Sequence, residues 1–331
     1  MFWNRPLALF LLAFVAILAW WQSRPSDQVL HRTQFLMGTI VEVKAFASSS
    51  AGLDAAMDAA FAEMARLDQL LSRYQRGSDV ERINNAEASI DVAPETEAVL
   101  RLGLDVSKKS QGAFDLSLGR LKKLWGFDQE HPHVPSSEAV HEALKGIGPE
   151  ALDLVGSQLR KRHPDLSVDF GGIAKGYIVD QAIDVLKRHG VESASVNAGG
   201  DMYLLGYHQD RPWRIGIQHP RHPNQTLDIL SVHDRAVVTS GDYEQFFVED
   251  GTRYHHLLDP QTGYPAGSSQ SVTVVADSVA LADALATALF VLGPDKGRGM
   301  LASYPDAVAL WVDAAGQLLA SEGFNAYRLD P

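Results

Sequence analysis

The stretch 168–180 places an acidic side chain, two adjacent glycines and a lysine close together in the chain. Apolar residues at every second position from 166 to 170 predict a strand, with Asp169 on its other face. Gly171 and Gly172 let the backbone bend sharply and lie close to a ligand. Lys175 then falls near the start of an amphipathic helix, and a helix N-terminus beside a cation favours anion binding. The stretch therefore predicts a phosphate site, with Lys175 facing the phosphate.

An ordinary strand-to-helix turn with a solvated lysine explains the same residues equally well. The stretch matches neither the P-loop pattern nor the dinucleotide fingerprint, which are the two best-defined glycine-rich phosphate motifs. On these residues alone both interpretations stay open, and the rest of the chain must decide between them.

Asp283 and Thr287 are polar exceptions inside an almost wholly apolar helix, 279–292. Because they are four residues apart, they share one face of that helix. A carboxylate on a buried helix needs a partner, since burial of an unpaired charge is costly. Mg²⁺ suits this role because it prefers oxygen ligands and completes its shell with water and substrate phosphates. The alternative is that Asp283 pairs with Lys175 or caps a loop, while Thr287 bonds back to its own helix.

His256 is the candidate proton carrier, in a predicted strand that precedes an Asp-Pro turn. An imidazole titrates near neutral pH and therefore suits general acid–base catalysis. In a strand the neighbouring His255 points the other way, so a structural role fits His255 better than His256. Tyr74, in a polar loop, is a candidate for stacking on a ligand ring, although a plain loop tyrosine is the simpler interpretation.

Helical periodicity and strand patterns mix along the chain, and they predict one α+β domain over residues 33–331 behind a linker at 23–32. The predicted helices are 53–71, 95–110, 137–147, 173–188 and 279–292. The predicted strands and hairpins are 33–47, 152–155, 166–170, 193–205, 213–218, 235–247, 271–276, 308–312 and 317–320. Glycines and polar residues at 197–201 interrupt one of them, which indicates a bulge or a close approach to a ligand.

The composition excludes several classes of protein. A formal net charge of −12, from 29 basic and 41 acidic residues, argues against nucleic-acid binding. The chain has no cysteine, which rules out disulfides, thiolate chemistry and a sulfur-ligated zinc site. With 46% hydrophobic and 21% charged residues, the balance is that of a globular protein.

The first residues form a separate segment, 1–22, in which Arg5 precedes an unbroken apolar run, 6–21. Such a run is typical of a signal peptide or a short membrane anchor. No small-x-small cleavage site follows it, and Trp20 and Trp21 suit a membrane interface. We expect an uncleaved anchor with Arg5 in the cytoplasm and the domain outside; a cleaved signal peptide is the alternative.

Taken together, these stretches resemble the ApbE family, the FAD:protein FMN transferases. Each motif is modest alone, but their number and order along nearly the whole chain beyond the N-terminal segment make the resemblance specific. The chain departs from the family at His219-Pro220, where an acid often precedes the proline. The matching motifs are Met37-Gly38-Thr39, Gly112-Ala113-Phe114-Asp115, Leu124-Trp125-Gly126-Phe127, the stretch 169–180, Asn197-Ala198-Gly199-Gly200-Asp201, Thr239-Ser240-Gly241, the segment 256–265, and Ala282-Asp283-Ala284 with Thr287.

The resemblance implies a fold and an activity. The fold is a single mixed α/β ApbE-like domain, related to the T-fold, behind an N-terminal membrane segment. The activity is cleavage of FAD at its pyrophosphate, with transfer of FMN to a threonine of a partner protein and release of AMP. The implied acceptors are flavoprotein subunits of membrane respiratory electron-transfer complexes, which suits a protein of the bacterial inner membrane whose domain faces the periplasm.

The resemblance also implies the site residues. Mg²⁺ is held by the Gly172 carbonyl, Asp283 and Thr287, so Asp283 acts in catalysis through the metal, and His256 deprotonates the threonine. Flavin contacts fall on Met37, Tyr74, Ala113, Phe114, Asp115, Asp169, Lys175, His256 and Leu257. Two other functions stay open: a Mg²⁺-dependent FAD pyrophosphatase that releases FMN and AMP, and a non-catalytic flavin-binding protein of the envelope.

Overall fold

The computed structural model describes residues 28–47 and 50–329. The apolar run 6–21, and with it the expected anchor or signal segment, lies outside the described residues. Of the helices within those two ranges, none combines the length and the apolar character that a membrane crossing requires. The first strand begins at Gln28, inside the stretch 23–32 that the sequence suggested as a linker, because this stretch pairs with the following strand.

Seven α-helices and fifteen strands make up the described part of the chain. The helices are α1 (Ser50–Leu71), α2 (Asp79–Asn85), α3 (Pro94–Lys109), α4 (Gly119–Trp125), α5 (Ser137–Leu144), α6 (Ala174–Arg188) and α7 (Val279–Leu301). The strands are β1 (Gln28–Leu36), β2 (Thr39–Ala47), β3 (Ser89–Asp91), β4 (Leu152–Val155), β5 (Gln158–Lys161), β6 (Ser193–Ala198), β7 (Asp201–Leu205), β8 (Trp213–Gln218), β9 (Thr226–Val232), β10 (Arg235–Gly241), β11 (Phe246–Glu249), β12 (Thr252–His255), β13 (Ser269–Ala276), β14 (Val308–Asp313) and β15 (Leu318–Ala320). This mixed α/β architecture agrees with the expected fold class.

An eight-stranded antiparallel sheet lies at the centre, in the order β1-β2-β6-β7-β10-β13-β14-β15. A three-stranded sheet, β3-β5-β4, and the hairpins β8-β9 and β11-β12 complete the strand pairing. Helices α1, α6 and α7 pack on the central sheet, and their apolar side chains share one buried core with it. A smaller core, which includes Trp213 and Phe324, joins the central sheet to the β8-β9 hairpin and the C-terminal turn.

A third apolar cluster, around Trp125, fixes the β11-β12 hairpin beside helix α4. The indole Nε1–H of Trp125 donates to the Gly263 carbonyl at 2.8 Å, and its ring centroid lies 5.6 Å from that of Tyr254. Such aromatic contacts add specific geometry to ordinary apolar burial. The cluster therefore holds His256, which directly follows β12, next to the α4 residue Lys122.

Several segments differ from the sequence prediction. Helices α2 and α4 were not predicted, and the predicted strand 235–247 ends with β10 at Gly241 and resumes only at β11. Residues 166–170 form no strand in the described part of the chain; they make one isolated bridge, between Ser167 and Leu118. The interrupted strand 193–205 is the β6-β7 hairpin, whose turn contains Gly199 (φ 62°) and Gly200 (φ 101°), a left-handed backbone that favours glycine. Helix α7 keeps its predicted first part but is kinked at Gly293, ahead of Pro294, and then continues to Leu301.

Candidate active site

One cavity brings together most of the predicted site residues. Its walls come from the segment before α4, the turn before α6, the ends of β7 and β10, the chain after β12, and helix α7. The lining residues that the sequence singled out are Ala113, Phe114, Asp115, Asp169, Gly171, Gly172, Lys175, His256, Leu257, Asp283 and Thr287. Those that it did not assign to the site are Leu118, Lys122, Asp201, Thr239, Ser240, Glu244 and Leu258.

Lys175 lies at the first turn of α6 and is surrounded by carboxyl groups. Its Nζ atom is 2.9 Å from Oδ2 of Asp201, which is buried at the start of β7. Burial alone lowers the pKa of Lys175, but the charges of Asp201, Asp283 and Glu244 outweigh this effect and raise the pKa above its usual value. Lys175 is therefore a permanent cation whose nearest partner is a carboxylate of the protein itself.

This pairing gives Lys175 a carboxylate partner within the protein, in addition to the phosphate that the sequence analysis predicted it to face. Asp201 lies directly after the β6-β7 turn, in the segment 197–201 that the sequence indicated as a bulge or a close approach to a ligand. The charge of Asp283 also raises the pKa of Lys175, but the carboxylate that pairs directly with Lys175 is that of Asp201. Lys175 still lines the cavity, where it can act on both the carboxyl groups and a bound anion.

Asp169 belongs to a second group of charges on the cavity wall. Its Oδ1 atom accepts from Lys122 Nζ at 2.6 Å and from the Gly171 N–H at 2.9 Å, and Arg73 Nε lies 3.3 Å from Oδ2. Burial raises the pKa of Asp169, but the charges of Lys122 and Arg73 hold it below its usual value. Asp169 thus anchors the glycine turn; it does not occupy the free face of a strand, as the alternation of apolar residues suggested.

Met37 and Tyr74 do not lie on the cavity wall. The Met37 N–H donates to Oδ2 of Asp68 at 3.3 Å in the β1-β2 turn. Tyr74 is 66% exposed, and its hydroxyl donates to Oδ2 of Asp128 at 2.8 Å. Arg73 forms ion pairs with both Asp128 and Asp169. Tyr74 is therefore connected to the cavity wall indirectly, through Asp128 and Arg73.

Asp115 is buried in the cavity wall, and one of its two carboxyl oxygens accepts two hydrogen bonds. Oδ1 accepts from the backbone N–H of Ser117 at 2.7 Å and also from its hydroxyl, whereas Oδ2 is buried and has no hydrogen-bond partner among the residues that the structure describes. Burial raises the pKa of Asp115. The neighbouring Phe114 lies beside Gly172, where a Cβ atom would come within 3.3 Å of the ring.

The residues expected to hold Mg²⁺ do converge. A Cβ atom on Gly172 would lie 3.3 Å from the Thr287 hydroxyl oxygen, so the glycine lets the backbone approach that side chain. Asp283 is buried one helical turn before Thr287, and one of its oxygens lies 3.4 Å from the Gly176 N–H. Burial and then the charge of Asp201 raise the pKa of Asp283 well above its usual value. A buried carboxylate of this kind is stabilised in its ionised form by a cation.

This donor set fits magnesium in its chemistry. A carbonyl, a carboxylate and a hydroxyl are hard oxygen ligands, and Mg²⁺ takes few ligands from the protein when phosphates supply others. Within residues 28–47 and 50–329, no group of three or more histidine, aspartate or glutamate side chains is placed to hold a metal ion. If Mg²⁺ binds to the three oxygen donors named above, its remaining coordination positions would be filled by water or substrate phosphates.

His256 and His255 take different roles. The His255 Nε2 atom lies 3.0 Å from the Ala266 carbonyl, and the ring packs edge-on against Phe290, so this histidine is structural. His256 Nδ1 lies 3.3 Å from the Gln245 carbonyl, to which it donates as Nδ1–H. Its Nε2 atom is then left as a proton acceptor. Burial, followed by the charge of Lys122, lowers the pKa of His256 to about 3, which keeps the ring neutral.

His219 lies outside this cavity. It precedes Arg221, which binds both oxygens of Asp242 at 2.7 Å and so ties the β8-β9 loop to the chain after β10. The Arg221 N–H donates to Nδ1 of His219 at 3.0 Å. His219, at which the sequence differs from the family pattern, therefore stabilises the β8-β9 loop and does not line the cavity.

Comparisons with known proteins identify relatives along the whole domain. The model of the ApbE family matches residues 37–311. An FAD:protein FMN transferase of Treponema pallidum is 33% identical over 313 residues, which cover 88% of this chain and 86% of that protein. Another, of Vibrio cholerae, is 35% identical over 288 residues, which cover 84% of this chain and 85% of that protein.

Solved structures show the same fold. The ApbE protein of Thermotoga maritima superimposes with a TM-score of 0.84 at 34% identity, covering 92% of this chain and all of that one. The flavinyl transferase ApbE of Pseudomonas stutzeri superimposes with a TM-score of 0.80 at 35% identity, covering 91% of this chain and 97% of that one. The family model and these relatives together show that the chain belongs to the ApbE family of flavin transferases.

Proposed function

We propose that this protein is a Mg²⁺-dependent FAD:protein FMN transferase. FAD is cleaved at its pyrophosphate, FMN becomes attached through its phosphate to a threonine of an acceptor protein, and AMP leaves. The observation that carries the proposal is the shared cavity of Gly172, Asp283, Thr287, Lys175 and His256. These residues supply oxygen ligands, a cation and a proton acceptor in one place.

The charge of the wall supports a bound divalent cation. Three carboxyl groups, those of Asp201, Asp283 and Glu244, act on the single cation Lys175, and burial together with their mutual repulsion raises the pKa of Asp283 and Glu244. A divalent cation would favour the ionised form of these groups, and the pyrophosphate of FAD adds further negative charge. When bound to Gly172, Asp283 and Thr287, Mg²⁺ would offset this charge and polarise the phosphate that receives the nucleophile. Lys175 adds a fixed positive charge beside the same carboxyl groups, so the chain contributes mainly positioning and charge neutralisation.

His256 would accept the proton of the incoming threonine. In the transfer step the threonine oxygen forms a bond to the FMN phosphorus, and the bond from that phosphorus to the oxygen bridging to AMP breaks. The hydroxyl proton passes to Nε2 of His256, and AMP leaves with the bridging oxygen. A pKa of about 3 makes His256 a weak base in the free protein, but a negatively charged substrate beside it raises that pKa toward neutrality.

Mass measurement of an acceptor protein tests the proposal. The protein is incubated with FAD, Mg²⁺ and a flavoprotein subunit that contains a target threonine, alongside the same subunit with that threonine changed to alanine. We expect the mass of FMN to appear on the first acceptor alone, together with AMP. FMN and AMP without a modified acceptor would indicate the pyrophosphatase instead, and unchanged FAD would indicate a binding protein.

We also propose an N-terminal anchor in the inner membrane, with the domain in the periplasm and acceptors among membrane respiratory electron-transfer complexes. The support is Arg5 followed by the apolar run 6–21. Cell fractionation and intact-mass analysis of the native protein test this: we expect a membrane-bound chain that retains Met1. A mature chain beginning near Ser23 would mean a cleaved signal peptide, and recovery from the cytosol would contradict both arrangements.

A further inference from the structure

Helix α7, which carries Asp283, begins directly against helix α6. The two oxygens of the α6 residue Asp180 accept from the first two backbone N–H groups of α7, Oδ1 from Val279 at 2.8 Å and Oδ2 from Ala280 at 2.9 Å. One turn earlier on α6, Gly176 lies so close to α7 that a Cβ atom would come within 2.5 Å of the Val279 carbonyl oxygen. The two helices therefore pack closely at this point, and the Asp180 side chain joins them with two hydrogen bonds.

This use of Asp180 differs from ordinary helix capping. The first N–H groups of any helix lack partners inside it, and a side chain just before the helix usually supplies one. Ser278 does so here, accepting from the Leu281 N–H at 3.2 Å. Asp180 comes from another helix, so its two hydrogen bonds also fix where α7 starts relative to α6.

The relative position of α6 and α7 determines the distances between the charged side chains of the cavity. Helix α6 carries Lys175 in its first turn, and its Gly176 N–H lies 3.4 Å from an oxygen of Asp283 on α7. A shift of α7 along α6 would therefore change the distances from Asp283 to Lys175 and to Gly172. Small displacements of this kind are costly for a reaction that depends on positioning.

We propose that Asp180 is a positioning residue for the transfer reaction. By holding the first turn of α7 on α6, it places Asp283 and Thr287 opposite Lys175 and Gly172. Asp180 does not line the active-site cavity, so it acts only through the two helices. The effect on turnover rests on the proposed function; the attachment of the helices does not.

Three substitutions separate positioning from capping and from charge. Asp180→Asn keeps the shape of the side chain but replaces one acceptor oxygen by an amide that faces a backbone donor. Ser278→Ala removes a cap from the same helix end without touching α6. Asp184→Asn removes the same charge from an exposed position one turn further along α6.

Hydrogen exchange and single-turnover FMN transfer are the two measurements. In Asp180→Asn we expect the peptide 278–287 to exchange about tenfold faster, the effect of one lost hydrogen bond, and FMN transfer to fall about 10- to 100-fold. In Ser278→Ala the same peptide should also exchange faster, but transfer should stay within about threefold of the parent, because α7 keeps its place on α6. Asp184→Asn should change neither.

Two results would overturn the inference: parental transfer in Asp180→Asn, whatever its exchange, or an equal loss of transfer in Asp180→Asn and Ser278→Ala. Should Asp180→Asn not fold, Asp180→Glu replaces it: its two acceptor oxygens still cap α7, but its longer side chain moves the start of α7 away from α6, so transfer should fall. Parental transfer in that variant would equally contradict a positioning role. If the parent itself transfers no FMN, the proposed function fails, while the exchange data still decide whether Asp180 holds the helix.

Discussion

At the scale of single residues, Lys175 is the cation on which the acidic wall of the cavity depends. It pairs with the buried Asp201, and Asp283 and Glu244 act on it through their charges. Removing one member of a buried pair leaves the other uncompensated, whereas removing both costs less. A structural role and a substrate-binding role of Lys175 can therefore be separated by substitution.

We expect Lys175→Met to lower both the free energy of unfolding and the affinity for FAD. The loss of stability should not exceed about 3–5 kcal/mol, because about a quarter of the Lys175 side chain is exposed. Adding Asp201→Asn should recover part of the stability but not the FAD affinity. Urea unfolding and FAD titration measure the two effects. Parental FAD affinity in the double variant would leave Lys175 with a structural role only.

His256→Asn should separate binding from transfer. The asparagine keeps a polar side chain but cannot accept the threonine proton as a base. We expect FAD affinity to stay near the parental value, while single-turnover transfer falls by about 10²–10⁴-fold. A higher pH should restore little, because a threonine hydroxyl stays protonated throughout the usable range. Transfer at the parental rate would show that another group takes the proton.

The lowered pKa of His256 also predicts a pH dependence of stability. In the unfolded chain a histidine takes up its proton below about pH 6.5, whereas in the folded protein His256 stays neutral to a much lower pH. Below pH 6.5 the unfolded state therefore binds more protons than the folded state. The contribution of the neutral His256 to the free energy of unfolding is complete above pH 6.5 and is lost progressively as the pH falls toward its folded pKa. Relative to His256→Asn, the parent should lose at most about 1.4 kcal/mol per pH unit, a limit that partial exposure of the ring reduces. Urea unfolding of both proteins at pH 7.5 and 5.5 measures this; identical pH dependence would contradict it.

Residue types and spacing singled out His256, Asp283 and Thr287 one by one, because each lies in a recognisable local pattern. That they share one site with Gly172 was implied only by the resemblance to a known family. The ion pairs of Asp169 were not predictable in this way. Lys122 lies 47 residues away in the chain and comes from a Leu-rich run without any signal for a site. Long-range charge pairing leaves no local pattern, so only the fold could reveal it.

At the scale of elements, the contact between α6 and α7 depends on a missing side chain. Gly176→Ala should force the helices apart, because its Cβ would lie 2.5 Å from the Val279 carbonyl oxygen. We expect a loss of about 1–3 kcal/mol in stability and a fall in transfer of up to about 100-fold. Gly299→Ala is the matched control, since it lies on the exposed part of α7 with nothing within 4 Å of its Cβ. Thermal unfolding and FMN-transfer assays compare the two variants. Equal losses of stability and transfer in both would show that the close approach of α6 and α7 at Gly176 is not required.

Helices and strands were predicted correctly where the buried side chains also have a neighbouring element to pack against or pair with. The five predicted helices begin within three residues of their observed starts, because the apolar periodicity that predicts each helix also marks the face that packs in the core; α7 continues to Leu301, past its predicted end at 292. Residues 166–170 have the alternation of a strand, yet they are held mainly by the Asp169 N–H to the Leu116 carbonyl at 2.8 Å and the Val168 N–H to Asn84 at 2.7 Å. Alternation reports which side chains are buried, and it does not show whether a neighbouring strand exists.

At the scale of the whole molecule, the central sheet collects the site from distant parts of the chain. The sequence predicted most of its strands, but their order depends on long-range pairs such as β7 with β10 and β2 with β6. The β7-β10 pairing brings Asp201 and Thr239 together in the cavity wall, which the chain after β12 and helix α7 complete. The resemblance to a known family supplied this arrangement as an expectation, which composition and periodicity alone did not contain.

The most direct test of the central claim is the Mg²⁺ dependence of single-turnover FMN transfer, followed by the mass of the acceptor. In the parent we expect a Mg²⁺-dependent mass increase of one FMN. Asp283→Ala should abolish it at every Mg²⁺ concentration, because the carboxylate ligand on α7 is lost. Thr287→Ala, which removes a neutral ligand that water can replace, should show a smaller loss that excess Mg²⁺ partly restores. If Asp283→Ala transfers FMN with the parental Mg²⁺ dependence, the metal lies elsewhere and this helix belongs only to the core.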